Sequence, residues 1–315
     1  MAILTINTWV EHFVERLERA EGLDGPADKV ISLTQRWLKP GRVKNLLSGT
    51  GTGHPAHPIL VLLPLGLWAS GFYLDVRSVS EDRTAARRLI GMGNLAVLPA
   101  VLTGLSDWAD TQGAERRVGL VHAGLNVTAL ALFTSSWLAR SDRHQRAGVV
   151  ATALGMGTVS AAGWLGGHLA YARGVGVDTT AFEVPPADWI DVAAAKDVSD
   201  DRPLRVDAGV VAVLLIRDQD KVVAISDRCT HRGGPLHEGT IDKGCVTCPW
   251  HGSQFRLADG QVAKGPATRP QPTLEVRIID GRVHVRATTD EPGTLRRNPA
   301  TATSESSRST DRSRN

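Results

Sequence analysis

"CTHRGGPL" (229–236) and "CPWHGSQF" (248–255) each carry one cysteine and one histidine, spaced C-x-H in the first stretch and C-x-x-H in the second. They lie among short segments, "VVAVLLIR" (210–217), "KVVAIS" (221–226), "CVTCP" (245–249), "TLEVRII" (273–279) and "RVHVRA" (282–287), parted by "DQD", "ADGQ" and "DG". Short β-rich runs bounded by turn residues predict strands. Residues 187–287 are therefore expected to form a small antiparallel β domain that presents the two Cys/His stretches as paired loops.

The donor types narrow the chemistry. Thiolates are soft donors suited to iron and sulfide, and neutral imidazole suits an iron that accepts an electron. The pattern thus reads as two loops, each giving one ligand to each iron of a [2Fe-2S] cluster. A structural Cys2His2 zinc site is the competing reading. Zinc fingers usually pair two Cys and then two His on a hairpin and helix, whereas here each half mixes the types. The third cysteine, Cys245, is expected to be a strand residue, and His237 in "LHEGTI" an exposed loop residue.

Upstream, the texture is different. "PILVLLPLGLWASGFYL" (58–74) has no charged residue, and similar runs follow at 89–106, 118–139 and 147–172. At 1.5 Å per residue these runs are roughly 26 to 39 Å long, which brackets the hydrocarbon thickness of a bilayer. Four membrane-spanning helices are expected, although the two shorter runs, broken by Gly, Pro64 and Pro99, also suit buried helices of a soluble bundle. The small residues of "ALGMGTVSAAGWLGG" (153–167) favour close helix packing in lipid. The fold class is accordingly an all-α four-helix transmembrane bundle (54–173) followed by a small all-β domain (187–287), with a linker at 174–186.

Residues 1–53 predict amphipathic helices that lie on the membrane surface or cap the bundle, or else a soluble helical hairpin packed on the later domain. Trp9, Val10, Phe13, Val14 and Leu17 share one stripe behind a Thr8–Glu11 capping box. Val30, Ile31, Thr34, Trp37 and Leu38 suggest a second helix, ended by "KPG" (39–41). Residues 288–315, rich in Ser, Thr and Arg, predict disorder. A net charge of +3 across 315 residues, with no basic stripe, gives no ground for a nucleic-acid partner.

Ionisable residues inside a membrane are costly and mark candidate sites. His54 and His57 precede the first span, His122 lies early in the third and His168 near the end of the fourth. With alternating spans all four fall on the face from which the β domain emerges, as do Asp107 and Asp110. His122 and His168, expected at matched depth, are candidates to hold a haem b, with His54 and His57 as further candidates. The competing reading is that these side chains cap helices and hydrogen-bond across the bundle.

The residues carry two resemblances. Residues 187–287 resemble the Rieske iron-sulfur domain, specifically the ferredoxin type of bacterial electron-transfer chains, through "CTHRGGPL", "CPWHGSQF" and "GPA" (265–267). The resemblance implies that Cys229 and Cys248 bind one iron and His231 and His251 the other, under a third loop of Gly265, Pro266 and Ala267. In the family's respiratory branch each ligand loop has an additional Cys, and the two form a disulfide; here Gly234 and Trp250 stand at those positions. Ser253 is retained and can hydrogen-bond a bridging sulfide, while Phe255 replaces a Tyr hydroxyl of that branch. Fewer hydrogen bonds to the cluster imply a potential in the lower part of the Rieske range of about −150 to +300 mV. Residues 20–178 resemble a bacterial family of four-helix membrane domains of unknown function, through "GHPAHPILVLLPLGLW", "GLSDW", "RRVGLVHAGLN" and "LGGHLAYARGVGV".

Together these readings predict a membrane-anchored one-electron carrier that exchanges electrons with a redox protein. A redox or iron-sulfur sensor and a non-catalytic subunit of a larger oxidoreductase are the alternatives. The short chain after position 287 argues against an oxygenase catalytic domain. Lys and Arg flank the two membrane faces seven against seven, which leaves orientation open. The missing disulfide positions and the absence of a visible export signal favour a cytoplasmic β domain.

Overall fold

The computed structural model describes residues 2–77, 80–141 and 144–288. The expected disorder of 288–315 falls outside them except for Thr288. The chain begins with α1 (Ala2–Glu18), α2 (Asp24–Trp37) and α3 (Arg42–Ser48), then α4 (His57–Leu60), which leads into α5 (Leu62–Arg77). Next come α6 (Arg83–Trp108), α7 (Gly113–Ser141) and α8 (Gln145–Gly167), the last continued by a π-helical turn, His168–Ala172. Among the described residues four segments are long and apolar enough to cross a membrane: His57–Arg77, Arg83–Trp108, Gly113–Arg140 and Gln145–Ala172.

The bundle is apolar outside and locally polar inside, as a lipid solvent requires. Leu62, Leu63, Leu95, Val127, Leu138 and Leu154 are exposed on it. Within, Trp68 stacks on Phe133 at 4.2 Å and donates from its indole nitrogen to Asn94 Oδ1 at 3.0 Å. Gly93 makes room, since a Cβ there would stand 2.5 Å from the Trp68 ring. Where α5 and α7 end and α8 begins, Arg140 grips Asp75 through both terminal guanidinium nitrogens, Nη1 at 2.8 Å from Oδ1. Arg140 also donates to Ser136 and Thr152.

The N-terminal helices cap the opposite end of the bundle. Val14 of α1 is buried against Val118 and Leu165, and Ala27 and Ile31 of α2 pack on Trp108. Ion pairs from Arg117 to Asp24 and from Arg116 to Asp28, both at 2.6 Å, fasten α2 to α7. The first helix starts at Ala2, so Thr8 lies inside it rather than at a cap; continuation of the helical ladder upstream overrides the local capping signal.

The β domain comprises β1 (Ile190–Ala194), β2 (Leu204–Ala208), β3 (Val211–Asp218), β4 (Lys221–Ser226), β5 (Thr240–Asp242), β6 (Cys245–Thr247), β7 (Gln254–Arg256), β8 (Val262–Lys264), β9 (Thr273–Ile279) and β10 (Arg282–Ala287). They form an antiparallel six-stranded sheet, β1-β10-β9-β4-β3-β2, and an antiparallel four-stranded sheet, β5-β6-β7-β8. Strand β3 is apolar on both faces because it serves two cores. Val211, Val213 and Leu215 enter one cluster, and Leu214 and Ile216 join Ile225, Val246, Phe255 and Leu257 in the other. Cys229 and Cys248 belong to that second core.

Breaking the bundle's internal ion pair tests the inside-out packing. Asp75→Ala leaves the buried Arg140 guanidinium uncompensated and is expected to cost about 3–5 kcal/mol. The loss would be read as a lower unfolding temperature of the helical circular dichroism in detergent; an unchanged midpoint would show that the pair is dispensable to the packing.

Candidate metal centre

The two ligand loops share one backbone design. Cys229 N–H donates to Gly234 O at 2.9 Å and Gly233 N–H to Cys229 O at 2.8 Å. Nineteen residues on, Cys248 N–H donates to Ser253 O at 2.8 Å and Gly252 N–H to Cys248 O at 3.1 Å. The fourth residue after each cysteine is a glycine at positive φ, +76° for Gly233 and +72° for Gly252. These left-handed positions let each loop close on its own cysteine without a Cβ clash. In both loops backbone N–H groups two and three residues beyond the cysteine, His231 and Arg232 in one, Trp250 and His251 in the other, point at its sulfur.

The result places sulfur inside and imidazole towards the rim. Cys229 and Cys248 are 1% and 3% exposed and hydrogen-bond each other. The bond to Cys248 and burial push the Cys229 thiol well above its ordinary pKa. Cys248, sharing that bond and receiving two N–H groups, is drawn down to about 7. The His231 and His251 rings stand edge to face with centroids 5.1 Å apart. Burial, with the neighbouring His251, Lys44 and Arg232, holds the His231 pKa well below its usual value and so keeps the ring neutral, the form that binds metal.

An orphaned atom tests whether these residues suit a cluster. His231 Nδ1 is buried with no hydrogen-bond partner, a costly arrangement that a metal bond would relieve. Among the described residues no three His, Cys, Asp or Glu side chains converge on one point; a two-iron cluster, which takes two protein ligands at each iron, does not ask for one. Two thiols, two imidazoles and an apolar surround fit a [2Fe-2S] group.

The third loop closes the site. Ser253 is fully buried, and its hydroxyl oxygen accepts from Ala267 N–H at 3.0 Å, leaving the hydroxyl hydrogen free for a further acceptor. Gly265, Pro266 and Ala267 follow β8, with Pro266 and Ala267 buried. Gly234 lies against Cys248 and Trp250: a Cβ there would stand 2.8 Å from Cys248 Sγ, so the position has no room for an additional cysteine. Phe255 is buried core, and Cys245 sits on β6 opposite Arg256.

Several organising residues were not legible in the motif. Buried Gln271 accepts from Thr230 N–H at 3.2 Å and donates to Ser226 O at 2.8 Å and Arg228 O at 2.7 Å. Thr179, from the linker, donates its hydroxyl to Cys229 O at 2.7 Å. His237, expected to be exposed, is half-buried with Nδ1 2.7 Å from Asp227 Oδ2. These partners lie on segments remote from the loops, and only an Asp or Gln with a buried loop to satisfy could have hinted at them.

The loops do not stand free of the membrane domain. Lys44 of α3, 4% exposed, lies 2.7 Å from Asp110 Oδ2 and donates to Ser106 O at 2.6 Å. His231 Nε2 is 3.5 Å from the same carboxylate oxygen. Arg232 pairs with Glu115 of α7, and Asn45 Oδ1 accepts from Gly265 N–H at 3.1 Å. Trp250, 52% exposed, marks the side of the site left open.

The membrane histidines do not support a haem. His122 Nδ1 donates to Ala162 O at 2.8 Å and its Nε2 accepts from Asn126 at 3.1 Å, so neither nitrogen has a lone pair left for iron. His168 Nε2 meets Glu18 at 2.9 Å. The expected matched depth also fails, because α7 starts at Gly113: His122 lies about 13 Å along its helix and His168 about 6 Å from the end of its own. His57 Nδ1 bonds Ala100 O at 2.9 Å, and His54 is exposed. Three of the four cross-link helices, the polar-glue role.

Residues 188–277 match the Rieske [2Fe-2S] domain, and residues 53–179 match a predicted membrane protein domain, DUF2231. Apoptosis-inducing factor 3 of Homo sapiens is 35% identical over 24% of this chain, which spans only 13% of that protein's length. Ferredoxin CarAc of Metapseudomonas resinovorans is 36% identical over 23% of this chain and 68% of its own length. The anthranilate 1,2-dioxygenase ferredoxin subunit of Burkholderia cepacia is 33% identical over 22% and 64%. Among solved structures, the complex of reduced oxygenase and oxidised ferredoxin in carbazole 1,9a-dioxygenase matches at 33% identity over 33% of this chain and 97% of that one, with a TM-score of 0.31. With its paired Cys/His loops and this likeness to electron-carrier ferredoxins of dioxygenase systems, the chain belongs to the Rieske [2Fe-2S] family, its Rieske domain preceded by a DUF2231 domain.

Proposed function

We propose that this protein is a membrane-anchored one-electron carrier in which Cys229 and Cys248 hold one iron of a [2Fe-2S] cluster and His231 and His251 hold the other. The observation that carries the reading is the orphaned Nδ1 of His231, buried beside two cysteines that share a core. When bound, the cluster supplies reversible one-electron chemistry. The chain's own residues give it a dry apolar pocket, orient its ligands through Gln271 and Thr179, and leave the His251–Trp250 side open to a soluble redox protein. Likeness to ferredoxins of dioxygenase systems favours a protein partner at that edge. The DUF2231 domain holds the carrier at the bilayer. The Rieske domain faces the cytoplasm, where a site without the additional cysteine pair needs no disulfide.

Detergent-purified full-length protein is expected to contain two irons and two inorganic sulfides per chain and, after dithionite reduction, to give the paramagnetic signal of a mixed Cys/His-ligated cluster. Cys248→Ser and His251→Ser should each abolish that signal. One zinc per chain and no iron would sink the proposal in favour of the four-ligand zinc reading.

Two finer expectations follow from the surroundings. With Phe255 offering no hydroxyl to the sulfur side, the midpoint potential should lie in the lower part of the range of about −150 to +300 mV, checked by dye-mediated titration. Gln271→Leu removes three hydrogen bonds that join the end of β4 to the first ligand loop, and iron per chain should fall severalfold while helical content is kept. Unchanged iron would mean that the loop holds its shape without the glutamine.

A further inference from the structure

The seat under the ligand loops is made of charged groups that a mere anchor does not require. Lys44, Asp110, Arg232 and Glu115 meet where the turn after α6 and the start of α7 touch the first ligand loop. Lys44 is buried and Asp110 nearly so. Asp110 Oδ2 sits 2.7 Å from the Lys44 ammonium, yet it receives no well-directed hydrogen bond. His231 Nε2 also faces it, at 3.5 Å.

The tautomer follows from the ligand atom. If Nδ1 of His231 binds metal, the ring proton must be on Nε2, the ring nitrogen that lies 3.5 Å from Asp110 Oδ2. A ligating imidazole whose outer N–H meets a carboxylate is oriented by it and made more electron-rich. Negative charge at that position stabilises the oxidised, more positive state of the centre. The carboxylate's field also reaches His251.

We propose that Asp110 of the membrane domain is a positioning residue for the redox centre, which takes the outer N–H of His231 and lowers the reduction potential, so that the site is built jointly by both domains. Lys44 opposes it by partly neutralising the carboxylate. The potential therefore reports whether the Rieske domain is seated. This inference rests on His231 being a cluster ligand.

The test is a redox titration of full-length protein in detergent at one fixed pH, monitored by the paramagnetic signal of the reduced cluster. Asp110→Asn should raise the potential enough to change the ratio of reduced to oxidised protein tenfold or more, about 59 mV for one electron. Lys44→Gln should lower it, and Asp110→Glu should stay near the unsubstituted protein. Asp28→Asn, which removes a carboxylate from the exposed Arg116 pair, serves as the charge control and should leave the potential in place. Loosening of a merely structural contact would shift the Asp110→Asn and Lys44→Gln proteins in the same direction, or neither, and either result overturns the inference. Should one variant fail to assemble, the sign of the other still decides. If the unsubstituted protein shows no cluster signal, the ligand assignment fails and this inference falls with it; a normal signal with an unmoved potential defeats this inference alone.

Discussion

A buried ammonium is the constraint on which the arrangement of the two domains depends. Lys44 lies under the Rieske loops, and a charge withdrawn from water must be paired and hydrogen-bonded to be tolerated. Asp110 supplies the countercharge and Ser106 the carbonyl, at 2.7 and 2.6 Å. Satisfying one lysine therefore brings α3, the end of α6 and the turn after it to one point. Asn45, one residue on, reaches the loop after β8 at Gly265, and Glu115, at the start of α7, meets Arg232 of the first Cys/His loop. The platform and the Cys/His loops are held by the same few side chains.

The membrane domain solves the reverse problem. Its surface is rich in leucine and valine, and charged and aromatic polar groups such as Arg140, Asp75 and Trp68 pair inward. Asp75 with Arg140 closes one end of the bundle, and the N-terminal helices with their arginine pairs cover the other. Histidines that look free in the sequence join its helices: His57 joins α4 to α6, His122 joins α7 to α8, and His168 ties the last span to α1. In a medium without water these bonds have no competing solvent partner, which is why imidazole can serve as a cross-link there.

Within the β domain, two loops of different spacing reach one geometry because each sets a left-handed glycine four residues after its cysteine. The histidine comes second in one loop and third in the other, yet the closing hydrogen bonds are the same pair. Sulfur is directed into the core shared by Ile225, Val246 and Phe255, and imidazole to the rim. The donor set and the apolar surround are thus both consequences of where the two sheets meet.

The local chemistry was legible in the chain itself. Spacing of Cys, His and Gly within each loop, uncharged runs long enough for a bilayer, and the β-rich segments of the longer strands are all properties of neighbouring residues, so they could be read without a fold. Strands of three residues such as β5, β7 and β8 were not legible, since only ladder partners stabilise segments so short. Helix packing decided that His122 has no lone pair to offer. Chain return across 41 to 45 positions brought Gln271 under the first ligand loop. The meeting of Asp110 with His231 likewise belongs to the tertiary structure: the two residues lie on different domains, and only docking can set a carboxylate 3.5 Å from an imidazole so distant in sequence.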